Sequence, residues 1–79
     1  MLVHVKLFAT LTKFSPGRET GVPFDSEIPD GSSLSDLMAH LMLPEKEVKL
    51  VFVNGRAQPA GYKLSNNDTV GIFPPIGGG

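Results

Sequence analysis

Ser33-Leu34-Ser35-Asp36-Leu37-Met38-Ala39-His40-Leu41-Met42-Leu43-Pro44 decides the fold, because it reads as one short helix in a chain otherwise made of strands and turns. Leu34, Leu37, Met38, Leu41 and Met42 recur at the spacing of a single helix face, which leaves Ser35, Asp36, Ala39 and His40 toward solvent. Ser33, followed three residues on by Asp36, supplies an N-cap and an acidic first turn. Pro44 cannot continue the backbone ladder, so the spacing predicts a helix over 34–42.

Upstream of the helix, Leu2 to Phe8 alternates Val3, Val5 and Leu7 with His4 and Lys6, the pattern of a strand with one buried face. After Leu11 and Phe14, residues 15–21 carry turn formers and charges and are expected to form an exposed loop. Val22 to Ile28 presents Val22, Phe24, Ser26 and Ile28 on one side and predicts a second strand, which Pro23 places at an edge or a strand start. It is expected to form a hairpin with the first. Downstream, Val48, Leu50 and Phe52, with Val51 and Val53, predict a third strand ending at Asn54-Gly55, a pair suited to the positive φ of a tight turn. Arg56-Ala57 starts a short return strand, residues 58–63 show no period, Leu64 plugs the core, residues 65–68 are a turn, and Thr69 to Phe73 is the last strand. Two strands, one helix and further strands imply an α+β fold of two layers, in which the helix covers one face of a sheet.

Size and composition narrow the function. Seventy-nine residues make a single domain with a thin core, and 41% hydrophobic against 19% charged residues is a globular composition. A net charge of -1 gives no attraction to phosphate backbones or anionic lipid, so neither nucleic acid nor membrane is an expected partner. With no cysteine, a disulfide framework, a thiolate nucleophile and a cysteine metal site are all excluded. Met1 to Lys6 lacks the apolar core of a signal peptide, and the expected location is the cytoplasm.

Few residues suggest chemistry. His4 and His40, with no evident carboxylate beside them, fall short of a metal set and read as surface histidines. Ser32, Ser33 and Ser35 lack the glycine-flanked elbow of a nucleophile and read as caps. Asp30 with Asp36, or Glu45 with Glu47, read as solvated surface rather than paired acid and base. No phosphate-cradling glycine motif with its lysine is present.

Gly77, Gly78 and Gly79 stand at the end of the sequence, where a turn has nothing to connect. Three explanations compete. The end is an incidental flexible tail; or it threads a narrow channel in a partner, where a Cβ would clash, so that its carboxylate reaches an enzyme's nucleotide or sulfur donor; or the same carboxylate, once activated, is joined to a lysine amine. In both functional cases a stiff stem helps, and Pro74-Pro75 supplies one, giving the six residues after Phe73 a reach of roughly 18 Å.

Val5-Lys6-Leu7-Phe8-Ala9, Val53-Asn54-Gly55, Leu64 to Val70 and above all Ile72-Phe73-Pro74-Pro75-Ile76-Gly77-Gly78-Gly79 resemble the MoaD/ThiS family of ubiquitin-like sulfur carriers, over nearly the whole chain. The closing pattern is more similar to the MoaD branch, the small subunits of molybdopterin synthase, than to the ThiS branch of thiamine synthesis. The resemblance implies a β-grasp fold with a mixed sheet of four to five strands over one main helix, a domain over 1–74 and an extended tail over 75–79. It further implies that an E1-like adenylating enzyme activates the Gly79 carboxylate with ATP, that a sulfur donor converts the acyl-adenylate to a thiocarboxylate, and that a sulfur-accepting synthase large subunit receives the sulfur. The carrier then binds no cofactor or metal, catalyses nothing alone and is expected to be a monomer by itself. Gly79 and Gly78 are its chemical end, and Phe8, Phe73, Pro74, Pro75, Ile76 and Gly77 its partner-binding residues. Read without the resemblance, Phe8 and Phe73 are ordinary core residues. Asn67-Asp68 stands where the family usually has glycine then aspartate, and residues 58–63 match poorly. Members of the family also serve tungsten cofactor synthesis, cysteine synthesis and protein tagging, so the pathway stays open.

Overall fold

The computed structural model describes residues 1–17 and 19–75. The alternation at the start of the chain becomes strand β1 (Leu2–Leu7), with Val3, Val5 and Leu7 fully buried. It is followed by β2 (Phe24–Glu27), helix α1 (Leu34–His40), β3 (Leu50–Val53), the two-residue β4 (Arg56–Ala57) and β5 (Thr69–Phe73). The strands form one mixed sheet in the order β2-β1-β5-β3-β4. Central β1 and β5 are parallel, with Val5 beside Val70 and Leu7 beside Ile72, and the other pairs are antiparallel. Leu34, Leu37 and Met38 of α1 close over Val3, Val5, Leu7, Val51, Val53, Val70 and Ile72, so one face of the sheet is the core wall and the other faces out. The expected two-layer α+β arrangement, with β2 at an edge, is present.

Local expectations are corrected at the end of the helix and in β2. The helix ends at His40, two residues before the expected limit and without help from Pro44. Met42 takes a left-handed φ of 61°, its N–H donates to the Ala39 carbonyl, and the Leu43 N–H reaches back to the Met38 carbonyl at 2.9 Å. This is a Schellman closure, which turns the residue after the cap outward and the next one inward. Met42 is therefore 81% exposed, and Leu43 takes the core place that helical spacing assigned to it.

In β3 the buried pair is Val51 and Val53, while Leu50 and Phe52 lie on the outer face. Residues 48–53 are apolar on both parities, so periodicity could not choose, and pairing of Val51 with Ile72 and Val53 with Val70 makes the choice. Strand β2 is shorter than expected, and Val22 lies outside it and exposed. Between β1 and β2, Ala9–Phe14 forms a 3-10 helix that burial of Leu11 holds in place.

Residues 58–63 lack a period yet are well tied. The Tyr62 and Ala60 carbonyls accept from the Leu34 and Ser35 N–H groups at 2.9 Å each, which satisfies donors that the first turn of a helix cannot pair internally. The Leu64 N–H donates to the Ser32 carbonyl and carries Leu64 into the core.

The helix start is as expected. The Asp36 N–H donates to the Ser33 hydroxyl and the Ser33 N–H donates to the Asp36 carboxylate, a reciprocal capping box. Ser33→Ala is expected to lower stability by about 1 kcal/mol in urea denaturation. The Ser33 backbone donor, with its side chain next and Lys63 adding less, holds the Asp36 carboxyl below its ordinary 3.8. Because the folded value is depressed, this contribution is complete above 3.8 and is lost as pH falls below it, so wild type and Asp36→Asn should converge in stability in acid. An unchanged gap at low pH would contradict the assignment.

Candidate functional site

The outer face of the sheet carries His4 and Lys6 from β1, Leu50 and Phe52 from β3, and Thr69, Gly71 and Phe73 from β5, with Phe8 just past the end of β1. Phe8 and Phe73 do not join the helix-covered core, contrary to the plain core-packing expectation. Their rings stack with centroids 4.2 Å apart and planes 6° from parallel, and the Phe52 ring meets Phe73 edge-on at 5.6 Å. Such aromatic pairs contribute about 1 kcal/mol beyond their area burial. Gly71 lies under the stack, since a Cβ there would sit 3.6 Å from both Phe8 and Phe73. Lys6, Phe8, Phe52, Gly55, Thr69, Gly71 and Phe73 together line an open, mostly apolar hollow of about 330 Å³.

This hollow adjoins the proline stem. Phe73 is the last residue of β5, its carbonyl accepts from the Lys49 N–H at 2.8 Å, and Pro74 and Pro75 follow without regular structure. Of the expected site residues, Phe8, Phe73, Pro74 and Pro75 are thus gathered at one end of the outer face. Ile76, Gly77, Gly78 and Gly79 lie outside the described residues.

Other candidates are placed differently. His4 does have a carboxylate beside it, Asp25 across the β1–β2 pair, with Nδ1 and Oδ1 2.6 Å apart. That neighbour is invisible until the strands pair. His40 is exposed on α1, as expected. Among the described residues no group of three or more His, Asp or Glu is placed to hold a metal ion, and no helix is long and apolar enough to cross a membrane.

A polar brace that sequence reading missed supports the sheet from the opposite end. Asn54 has the expected left-handed φ, 51°, followed by Gly55 at 86°. Its side chain also accepts from the Thr69 N–H at 2.9 Å and donates to the Asp68 carboxylate at 2.9 Å, and that carboxylate accepts from the Ser65 N–H at 2.8 Å. Asp68 is only 8% exposed. The β3–β4 turn and the entry to β5 are thereby joined. Asp68→Ala should lower stability by about 3 kcal/mol, because two donors lose a charged acceptor, whereas an urea midpoint like wild type would mean that water replaces it.

The ThiS family model matches residues 5–79. No curated protein sequence matches the chain. Among solved structures, SAMP1, small archaeal modifier protein 1 of Haloferax volcanii, is similar with a TM-score of 0.75 at 20% identity over 100% of both chains. A Pyrococcus furiosus protein described as a candidate molybdopterin converting factor subunit 1 has a TM-score of 0.75 at 25% identity, over 96% of this chain and 99% of that one. In a complex of subunits 1 and 2 of the molybdopterin-converting factor from Helicobacter pylori, the matching chain has a TM-score of 0.61 at 26% identity over 100% of each. The chain belongs to the ThiS family, and its five-stranded mixed sheet over one main helix is the ubiquitin-like β-grasp of the MoaD/ThiS sulfur carriers.

Proposed function

We infer that this chain carries sulfur as a thiocarboxylate on Gly79 and delivers it in molybdopterin synthesis. The observation that carries this reading is the family match, which runs through the proline–glycine end to residue 79. The likeness to two molybdopterin-converting factor small subunits favours that pathway over thiamine synthesis.

The chemistry needs little from the carrier itself. A carboxylate oxygen of Gly79 attacks the α-phosphorus of ATP held by an E1-like adenylating enzyme, and pyrophosphate leaves. Sulfide released by a sulfur donor then attacks the acyl carbon, the bond from that carbon to the AMP oxygen breaks, AMP leaves, and the thiocarboxylate remains. Gly77, Gly78 and Gly79 bring no Cβ into the channel that the end must thread, and Pro74 and Pro75 stiffen its approach. Phe8, Phe73 and Ile76 offer the apolar surface on which the adenylating enzyme, and then the large synthase subunit, dock. The Helicobacter pylori subunit 1–subunit 2 complex supports a partner of the second kind. ATP and the sulfur donor belong to the partner, the carrier catalyses nothing alone, and the reading implies a cytoplasmic protein.

Incubation with the adenylating enzyme of its own host, ATP and a sulfur source should give, by intact mass spectrometry, one oxygen replaced by sulfur at Gly79. An unchanged mass with that enzyme would overturn the reading. Transfer of the same activated carboxyl to lysine amines is the second reading, and it predicts branched peptides bearing a Gly78-Gly79 remnant. The archaeal modifier protein shares the fold.

A further inference from the structure

Beyond Phe73 the two prolines donate no backbone N–H, so they add no ladder bond to hold their direction. Two features of Phe73 are left to do so: its carbonyl, bonded to the Lys49 N–H at 2.8 Å, and its ring, stacked on Phe8. Phe8 is itself held from two sides. Its N–H donates to the Ile72 carbonyl at 3.2 Å, and close to its ring lies Gly21, where a Cβ would come within 3.2 Å of the Phe8 Cε1 atom. Gly21 has a φ of +69° and its N–H donates to the Leu7 carbonyl at 2.9 Å, so the loop is tied to the last residue of β1. A line of contact runs from Gly21 through Phe8 and Phe73 to the stem.

We propose that the Phe8–Phe73 stack aims the stem, setting the direction in which Pro74 and Pro75 leave the sheet, and that Gly21 is the positioning residue that lets Phe8 lie flat. This rests on the carrier reading but differs from a docking patch, which grips a partner without directing anything. Over the ~6 Å of the two prolines, a tilt of about 20° at Phe73 moves the far end by about 2 Å. A misplacement of about 1 Å at a reacting group is enough to slow chemistry about 100-fold.

Gly31 supplies the control. Its φ is +84°, so alanine there strains the backbone as it does at Gly21, but nothing lies within 4 Å of the added Cβ. Two measurements are made on wild type, Phe8→Ala, Phe8→Tyr, Gly21→Ala and Gly31→Ala. The first is the steady-state rate of adenylation by the cognate enzyme with ATP. The second is the set of carbon–proton residual dipolar couplings at the α positions of Pro74 and Pro75, fitted to the alignment of β1, which also reports whether each variant is folded.

Phe8→Ala and Gly21→Ala should lower kcat by about tenfold or more, with KM raised in Phe8→Ala, which also trims the docking surface, and little changed in Gly21→Ala, and both should shift the proline couplings away from the wild-type orientation. Phe8→Tyr should recover most of that loss, and Gly31→Ala should behave as wild type. A raised KM at constant kcat would make the rings a docking surface only and overturn the aiming role. So would proline couplings that stay at wild-type values in Phe8→Ala and Gly21→Ala. If wild type is not adenylated at all, the carrier reading fails, and the couplings alone decide whether the stack orients the stem.

Discussion

Leu37→Asp is expected to yield a chain with no cooperative urea transition. Leu37 is fully buried, on the face of α1 that covers the sheet. Removing its side chain alone costs about 2–5 kcal/mol through lost transfer energy and the cavity left behind. The carboxylate adds several kcal/mol more, since the described residues clustered with Leu37 are apolar and it must either stay charged among them or take up a proton. A small domain has in all only about 5–15 kcal/mol to lose. Leu41→Asp is the contrast. Leu41 is only half-buried at the helix end, so a carboxylate there can reach water, and that variant should fold with reduced stability. A sharp wild-type-like transition for Leu37→Asp would mean that α1 does not cover the sheet as described.

A bulky residue appended after Gly79 and left unprocessed is expected to reduce thiocarboxylate formation by about 100-fold or more. Two effects combine. The reacting carboxylate moves by one residue, about 3.5 Å, where a 1 Å error is already costly. The new Cβ also enters a path that the glycines suggest is too narrow for one. The domain should be unaffected, with the same urea midpoint as wild type, because the added residue lies beyond the elements that form the core. Mass spectrometry of the product mixture reads the loss directly. Retention of native loading by the extended chain would remove Gly79 as the reacting group.

How much of this was legible before folding differs from element to element. The β1 alternation of Val3, Val5 and Leu7, the Ser33–Asp36 cap and the Asn54-Gly55 turn follow from local stereochemistry, and each is found where the sequence places it. Met42 was misplaced because its residue type carries no mark of left-handed backbone, and only the bond from Leu43 to Met38 reveals the turn. The face taken by Phe52 was not legible, because a strand apolar on both sides needs its partner to tell inside from outside. Asp68 looked like an ordinary turn residue, since its bond to Asn54 spans fourteen positions.

The candidate site divides in the same way. Sequence alone determined that a proline stem and three glycines follow the last strand, that one amphipathic helix accompanies the strands, and that the pattern as a whole is that of a known carrier family. These are properties of residues adjacent along the chain or repeated at a fixed period. The stacking of Phe8 on Phe73, the edge contact of Phe52 and the place of Gly21 close to Phe8 were decided only by tertiary structure. The parallel pairing of β1 with β5 brings residues from opposite ends of the chain side by side, and no local periodicity encodes a neighbour that distant.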